Sequence, residues 1–96
     1  MTLHDKQMKV LKHYGFEHQV DKSIEELTEL LLELVRFRDG RGSPAAILDE
    51  LADNSNMIPQ LQHHFNISDR MLESVQNEKM DRQLKRIEHV QTKSND

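Results

Sequence analysis

The stretch from Val20 to Arg38 constrains the fold more than any other part of the chain. Val20, Ile24, Leu27, Leu31, Leu34 and Val35 recur at steps of three and four, with no glycine or proline among them. That spacing gathers side chains along one side of an α-helix. The whole chain holds only 3 Gly and 2 Pro, and no β-branched alternating run is present. The reading is therefore all-α: a bundle of about four helices.

The first helix spans roughly Leu3 to His13, with Leu3, Val10 and Leu11 as its apolar side. Gly15 suits a left-handed residue at its C-terminal end. The second helix runs from about Val20 to Arg38, followed by a loop at Asp39-Gly40-Arg41-Gly42. Ser43 then Pro44 reads as an N-cap with proline at the first helical position. The third helix runs towards Phe65, with Ile47, Leu51, Ile58, Leu61 and Phe65 on its core side. Pro59 predicts a kink or break within it. Ser68 caps a fourth helix reaching about Val90. Residues 1–90 form one domain in this reading, and the polar segment 91–96 is a flexible tail.

A chain of 96 residues buries a modest core, and association is a common remedy. The second helix carries more apolar surface than four short helices can cover, so a homodimer or homotetramer is expected. The net charge of −4 and 4% aromatic content argue against nucleic-acid binding. The absence of cysteine rules out disulfides and thiolate metal sites. No signal peptide or membrane span is read, and the expected setting is cytoplasmic.

The chemistry-bearing residues are acidic. Glu26 and Glu29 form an E-x-x-E pair, and Glu50 and Asp53 an E-x-x-D pair. Helical residues three apart project from the same side, so two such pairs on adjacent antiparallel helices bring four carboxylates together. Oxygen ligands of this kind suit Mg²⁺ or Mn²⁺. A lone E-x-x-E is more often a solvated face. Glu50, however, falls at the edge of the third helix's apolar stripe, where a carboxylate is costly unless it is paired or bound to a cation. Asn54 projects from the same side.

The fourth helix carries Asn77, Lys79 and Arg82, then Arg86. Lys79, Arg82 and Arg86 form a basic stripe suited to phosphate, although an isolated stripe of this sort more often makes surface salt bridges, such as Glu78 with Arg82. The 6 histidines show no ligand spacing. Neither a glycine-rich phosphate loop nor a nucleophile-and-base grouping is present.

Taken together, Glu26-x-x-Glu29, Glu50-x-x-Asp53 and Asn77-x-Lys79-x-x-Arg82 resemble the MazG-like family of all-α nucleoside triphosphate pyrophosphohydrolases. The resemblance spans about Phe16 to Glu88. It implies cleavage between the α and β phosphates to give a monophosphate and pyrophosphate. Mg²⁺ would be held by Glu26, Glu29, Glu50 and Asp53, and the nucleotide contacted by Asn77, Lys79 and Arg82. Glu29 and Glu50 are the catalytic candidates, and which carboxylate serves as the base stays open. The resemblance also implies a site completed by a second subunit. The chain departs from the family pattern at Asn54-Ser55-Asn56 and at Pro59. These departures leave room for a second reading, a non-catalytic helical module that binds nucleotide or protein.

Overall fold

The computed structural model describes Met1–Asn95, with side chains as far as Gln91. Four helices follow in order: α1 (Leu3–Tyr14), α2 (Phe16–Arg38), α3 (Pro44–His64) and α4 (Asp69–Asn95). The described residues include no strand. None of these helices is long and apolar enough to cross a membrane. The chain divides after Asn66 into a unit built of α1–α3 and a second unit that holds α4.

Local chemistry accounts for the helix ends. Thr2 and Asp5 make a reciprocal capping box: Asp5 N donates to Thr2 Oγ1 and Thr2 N to Asp5 Oδ2, both at 3.0 Å. Ser43 Oγ accepts from Ala46 N at 3.2 Å, and Ser68 Oγ from Met71 N at 3.1 Å. Gly15 is the single residue between α1 and α2, with φ 85° and ψ 161°. Its φ is positive as expected, but ψ lies outside the left-handed helical region, in a conformation open essentially to glycine. A glycine is also needed at Gly42, where an added Cβ would come within 2.9 Å of the Phe37 backbone nitrogen. The loop thereby folds back on the end of α2 and sets the start of α3.

Three boundaries differ from the sequence reading. α2 begins at Phe16 rather than Val20. Phe16 is anchored by a stacked contact with His64 and an edge-on contact with Phe65. α3 runs unbroken through Pro59. The next residue, Gln60, donates to Asn56 O at 2.9 Å and accepts from Gln19 Nε2 at 2.9 Å, which fastens that turn to α2. α4 continues to Asn95, beyond Val90. Of the polar tail, Asp96 lies outside the described residues.

The interior differs most. The buried apolar residues are Leu11 and Met57, whereas Gln7, Gln19, Ser23, Glu26, Asn54 and Gln60 are buried polar ones. The stripe expected to form the core of α2 lies open: Ile24, Leu27, Leu31 and Leu34 are 59, 59, 62 and 48% exposed. Leu51 and Ile58 on α3, and Phe65 just beyond its end, are likewise exposed. α2 and α3 are antiparallel, meeting through Phe16 with His64, Gln19 with Gln60, and Glu26 with Asn54. The sides that meet are the polar ones, roughly 90° around each helix from the leucine stripes.

Candidate metal centre

One residue of α2 and two of α3 bring acidic groups together in this register. Glu26, Glu50 and Asp53 each offer a carboxylate oxygen, and the three lie within 4.8 Å of one another. Burial is graded across the cluster: Glu26 is 8% exposed, Glu50 half-buried and Asp53 exposed. The spacing of three works as expected on α3, where Glu50 and Asp53 sit side by side. On α2 only Glu26 enters the group. Glu29 is exposed and lies outside it, although its charge is felt at Glu50.

Asn54 holds the two helices in place at this level. Its Nδ2 donates to the backbone carbonyl of Glu26 at 2.9 Å and to that of Glu50 at 2.8 Å. A single buried amide thus fixes the backbone beneath two of the three carboxylates. Asn54 belongs to the segment that departs from the family pattern, and here it serves the geometry of the cluster.

The electrostatics are uneven. Glu26 has a counter-charge: Lys22 Nζ lies 3.3 Å from its Oε1, with Glu25 also within reach of that lysine at 3.5 Å. The hydrogen bond to Glu26 and the charge of Glu25 hold the Lys22 ammonium above its ordinary pKa. Glu50 has none. Burial, and then the negative charges of Asp53, Glu29, Glu26 and Glu33, push its carboxyl above the ordinary value. Its Oε2 is buried without a hydrogen-bond partner. An orphaned buried oxygen among like charges is expensive, and a divalent cation bound by oxygen ligands would remove both costs. The donor set and the orphaned atom therefore fit a hard cation.

Sequence reasoning picked out Asn54 but missed Glu33, Gln19 and Gln60. Glu33 is half-buried, pairs with Arg36 Nη1 at 2.6 Å, and adds to the negative field on Glu50. Its signal was its place one turn beyond Glu29. Gln19 and Gln60 carried no signal, since nothing in their spacing marks them as interior.

On α4, Asn77, Lys79 and Arg82 are all exposed. Arg82 Nη2 makes an ion pair with Glu78 Oε1 at 3.2 Å, the surface pairing weighed from sequence. Asn77 borders a shallow depression with Arg70, Glu73 and Ser74. These residues belong to the second unit and are described on that helix alone. Set against known proteins, the chain matches no family model, no curated protein and no solved structure.

Proposed function

We propose that the chain is a MazG-like, Mg²⁺-dependent nucleotide pyrophosphohydrolase, a hydrolase that cleaves nucleoside triphosphates between the α and β phosphates. The observation that carries this reading is the convergence of Glu26, Glu50 and Asp53 from two helices, with a buried Glu50 oxygen left unpaired. Glu26, Glu50 and Asp53 would hold the cation, Mg²⁺ or Mn²⁺, with Glu29 as a further ligand. The cation would supply Lewis acidity towards the phosphoryl oxygens. Glu29 and Glu50 are the candidates for orienting and deprotonating the attacking water. Asn77, Lys79 and Arg82 are assigned to the nucleotide, the two cations to its phosphates.

The same reading gives the open leucine stripe a partner. A second copy of the chain covers Ile24, Leu27, Leu31 and Leu34, giving a homodimer or a homotetramer. A continuous apolar stripe of this kind marks a protein contact rather than a solvated surface. The competing reading is a non-catalytic helical module, favoured by one observation: Lys22 already neutralises part of the acidic cluster through Glu26.

Pyrophosphate release from a panel of nucleoside triphosphates, with and without Mg²⁺, separates the two. The enzyme reading requires Mg²⁺-dependent release that Glu50→Gln abolishes. Replacing Lys79 or Arg82 by Ala should lower kcat/KM by about one to two powers of ten, the loss of a charged hydrogen bond to phosphate. Mn²⁺ binding without turnover of any triphosphate would favour the non-catalytic module.

A further inference from the structure

The three-helix unit also contains a cavity of about 580 Å³ bounded by α1, α2 and α3, within the roughly 300–1,000 Å³ usual for small-molecule sites. Glu26 and Asp53 form part of its wall, so the cavity adjoins the acidic cluster. Four side-chain amides line it as well: Gln7, Gln19, Asn56 and Gln60.

The amides form two pairs of different character. Gln19 Nε2 donates to Gln60 Oε1 at 2.9 Å, Gln19 Oε1 meets His18 Nδ1 at 2.7 Å, and Gln60 Nε2 donates to Asn56 O at 2.9 Å. This pair is only 3% exposed at both residues and is closed on itself, a rigid back wall. The second pair is Gln7 with Asn56, joined by one bond of 3.0 Å from Gln7 Nε2 to Asn56 Oδ1. A primary amide carries both a donor group and an acceptor oxygen. That one bond uses the Gln7 donor and the Asn56 acceptor, so the pair still holds an acceptor in Gln7 Oε1 and a donor in Asn56 Nδ2.

An acceptor and a donor on two residues that line one cavity are the groups that a donor–acceptor edge of a nucleobase requires, the complementarity by which Asn and Gln read base edges in nucleic acids. Tyr14 adds a flat surface on the cavity wall, its ring stacked on His18 with centroids 4.6 Å apart and planes inclined by 14°. The charge balance selects against a bare anion here. Glu25, Glu26 and Asp53 border the space against Lys6 and Lys22, and Lys22 is engaged by Glu25 and Glu26, which leaves the lining net acidic. A neutral, flat, amide-edged group suits this lining better than a phosphate does.

We propose that this cavity is a nucleobase pocket, in which Gln7 and Asn56 read the base edge and Tyr14 stacks against the ring. The choice of a nucleotide as ligand rests on the pyrophosphohydrolase reading, which puts the phosphates at the adjoining acidic cluster. The pocket sets which nucleotide is accepted, and the cluster sets what happens to it.

The test uses free nucleosides, which carry no phosphate and need no metal. Isotope-labelled, metal-free full-length protein is titrated with adenosine, guanosine, cytidine, uridine and thymidine, and the side-chain amide resonances of Gln7 and Asn56 are followed by NMR. At least one nucleoside should shift them saturably. Tyr14→Ala and Asn56→Leu alter exposed residues, and each should weaken that binding about fivefold, the loss of one uncharged contact. No shift with any nucleoside, or unchanged affinity in both variants, overturns the pocket. A parallel Mn²⁺ titration keeps the two readings apart. Nucleoside binding without Mn²⁺ binding supports the pocket and sinks the metal site, and the reverse result does the opposite.

Discussion

On α2, Gln19, Ser23 and Glu26 are buried against α3, while Ile24, Leu27, Leu31 and Leu34, about a quarter turn away, are about half exposed or more. Burial of apolar area is the main favourable term in folding but has no direction. Hydrogen bonds stabilise less but demand a defined geometry. The inward face is held by directional bonds: Gln19 with Gln60, and Asn54 with the carbonyls of Glu26 and Glu50. Such a contact fixes register, and register decides whether Glu26 meets Glu50 and Asp53. The outward face has no directional partner and gains only by being covered. One helix thus carries two unlike faces, one that sets the register of the acidic cluster and one that leaves an apolar stripe exposed.

Several changes would break or sharpen this contrast. The largest effect is expected from Leu27→Asp combined with Leu31→Asp. If a second copy covers the stripe, each buried leucine contributes about 1.5–3 kcal/mol, and light scattering should show the wild-type assembly falling to monomers in the double variant. A wild-type chain already monomeric at micromolar concentration would remove the partner from the outward face.

Asn54→Leu probes the inward face. Two hydrogen bonds disappear, for a cost of roughly 1–3 kcal/mol in urea unfolding. If Asn54 positions the cluster, Mn²⁺ affinity should fall as well, although Asn54 is not proposed as a ligand. Loss of stability with Mn²⁺ affinity intact would confine Asn54 to a packing role.

The third change concerns pH. Glu50 holds its proton more tightly in the folded protein than the ordinary carboxyl value of 4.5 allows. Between that value and the raised folded one, the folded state binds more protons than the unfolded state, so stability falls as pH rises. The metal-free protein should therefore melt at a lower temperature as the pH climbs past the ordinary carboxyl range. Glu50→Gln should flatten that slope, and saturating Mg²⁺ should offset it. A melting temperature that rises through this window in wild-type protein, or a slope unchanged in the variant, would show that Glu50 is not the strained group.

The smallest effect belongs to α4. Glu78→Ala removes an exposed pair with Arg82 and should change stability by only about 0.3–0.5 kcal/mol. Thermal melts at low and high salt measure it, and a larger loss would mean that α4 carries tertiary contacts through this pair.

Much of the local structure was legible in the sequence. The caps at Ser43 and Ser68 follow from serine hydroxyls that satisfy free backbone N–H groups. The positive φ of Gly15 follows from its missing side chain. Glu50 was legible too, because its angular position put a charge where burial is costly. Pro59 does not break α3, and its neighbour Gln60 ties that turn to α2 and to Asn56 by bonds that no local rule foresees. Glu29 shares a side of α2 with Glu26, yet its carboxylate lies outside the close group.

By itself, then, the sequence determined that the chain is helical, where most helices begin and end, and that acidic residues recur three apart on two of them. Those properties depend on backbone hydrogen bonding and side-chain spacing within one or two turns. Only the tertiary structure decided which side of α2 meets α3. Periodicity marks an apolar stripe without saying whether its cover comes from the same chain, and here long-range amide bonds turned the polar side inward and the leucines out.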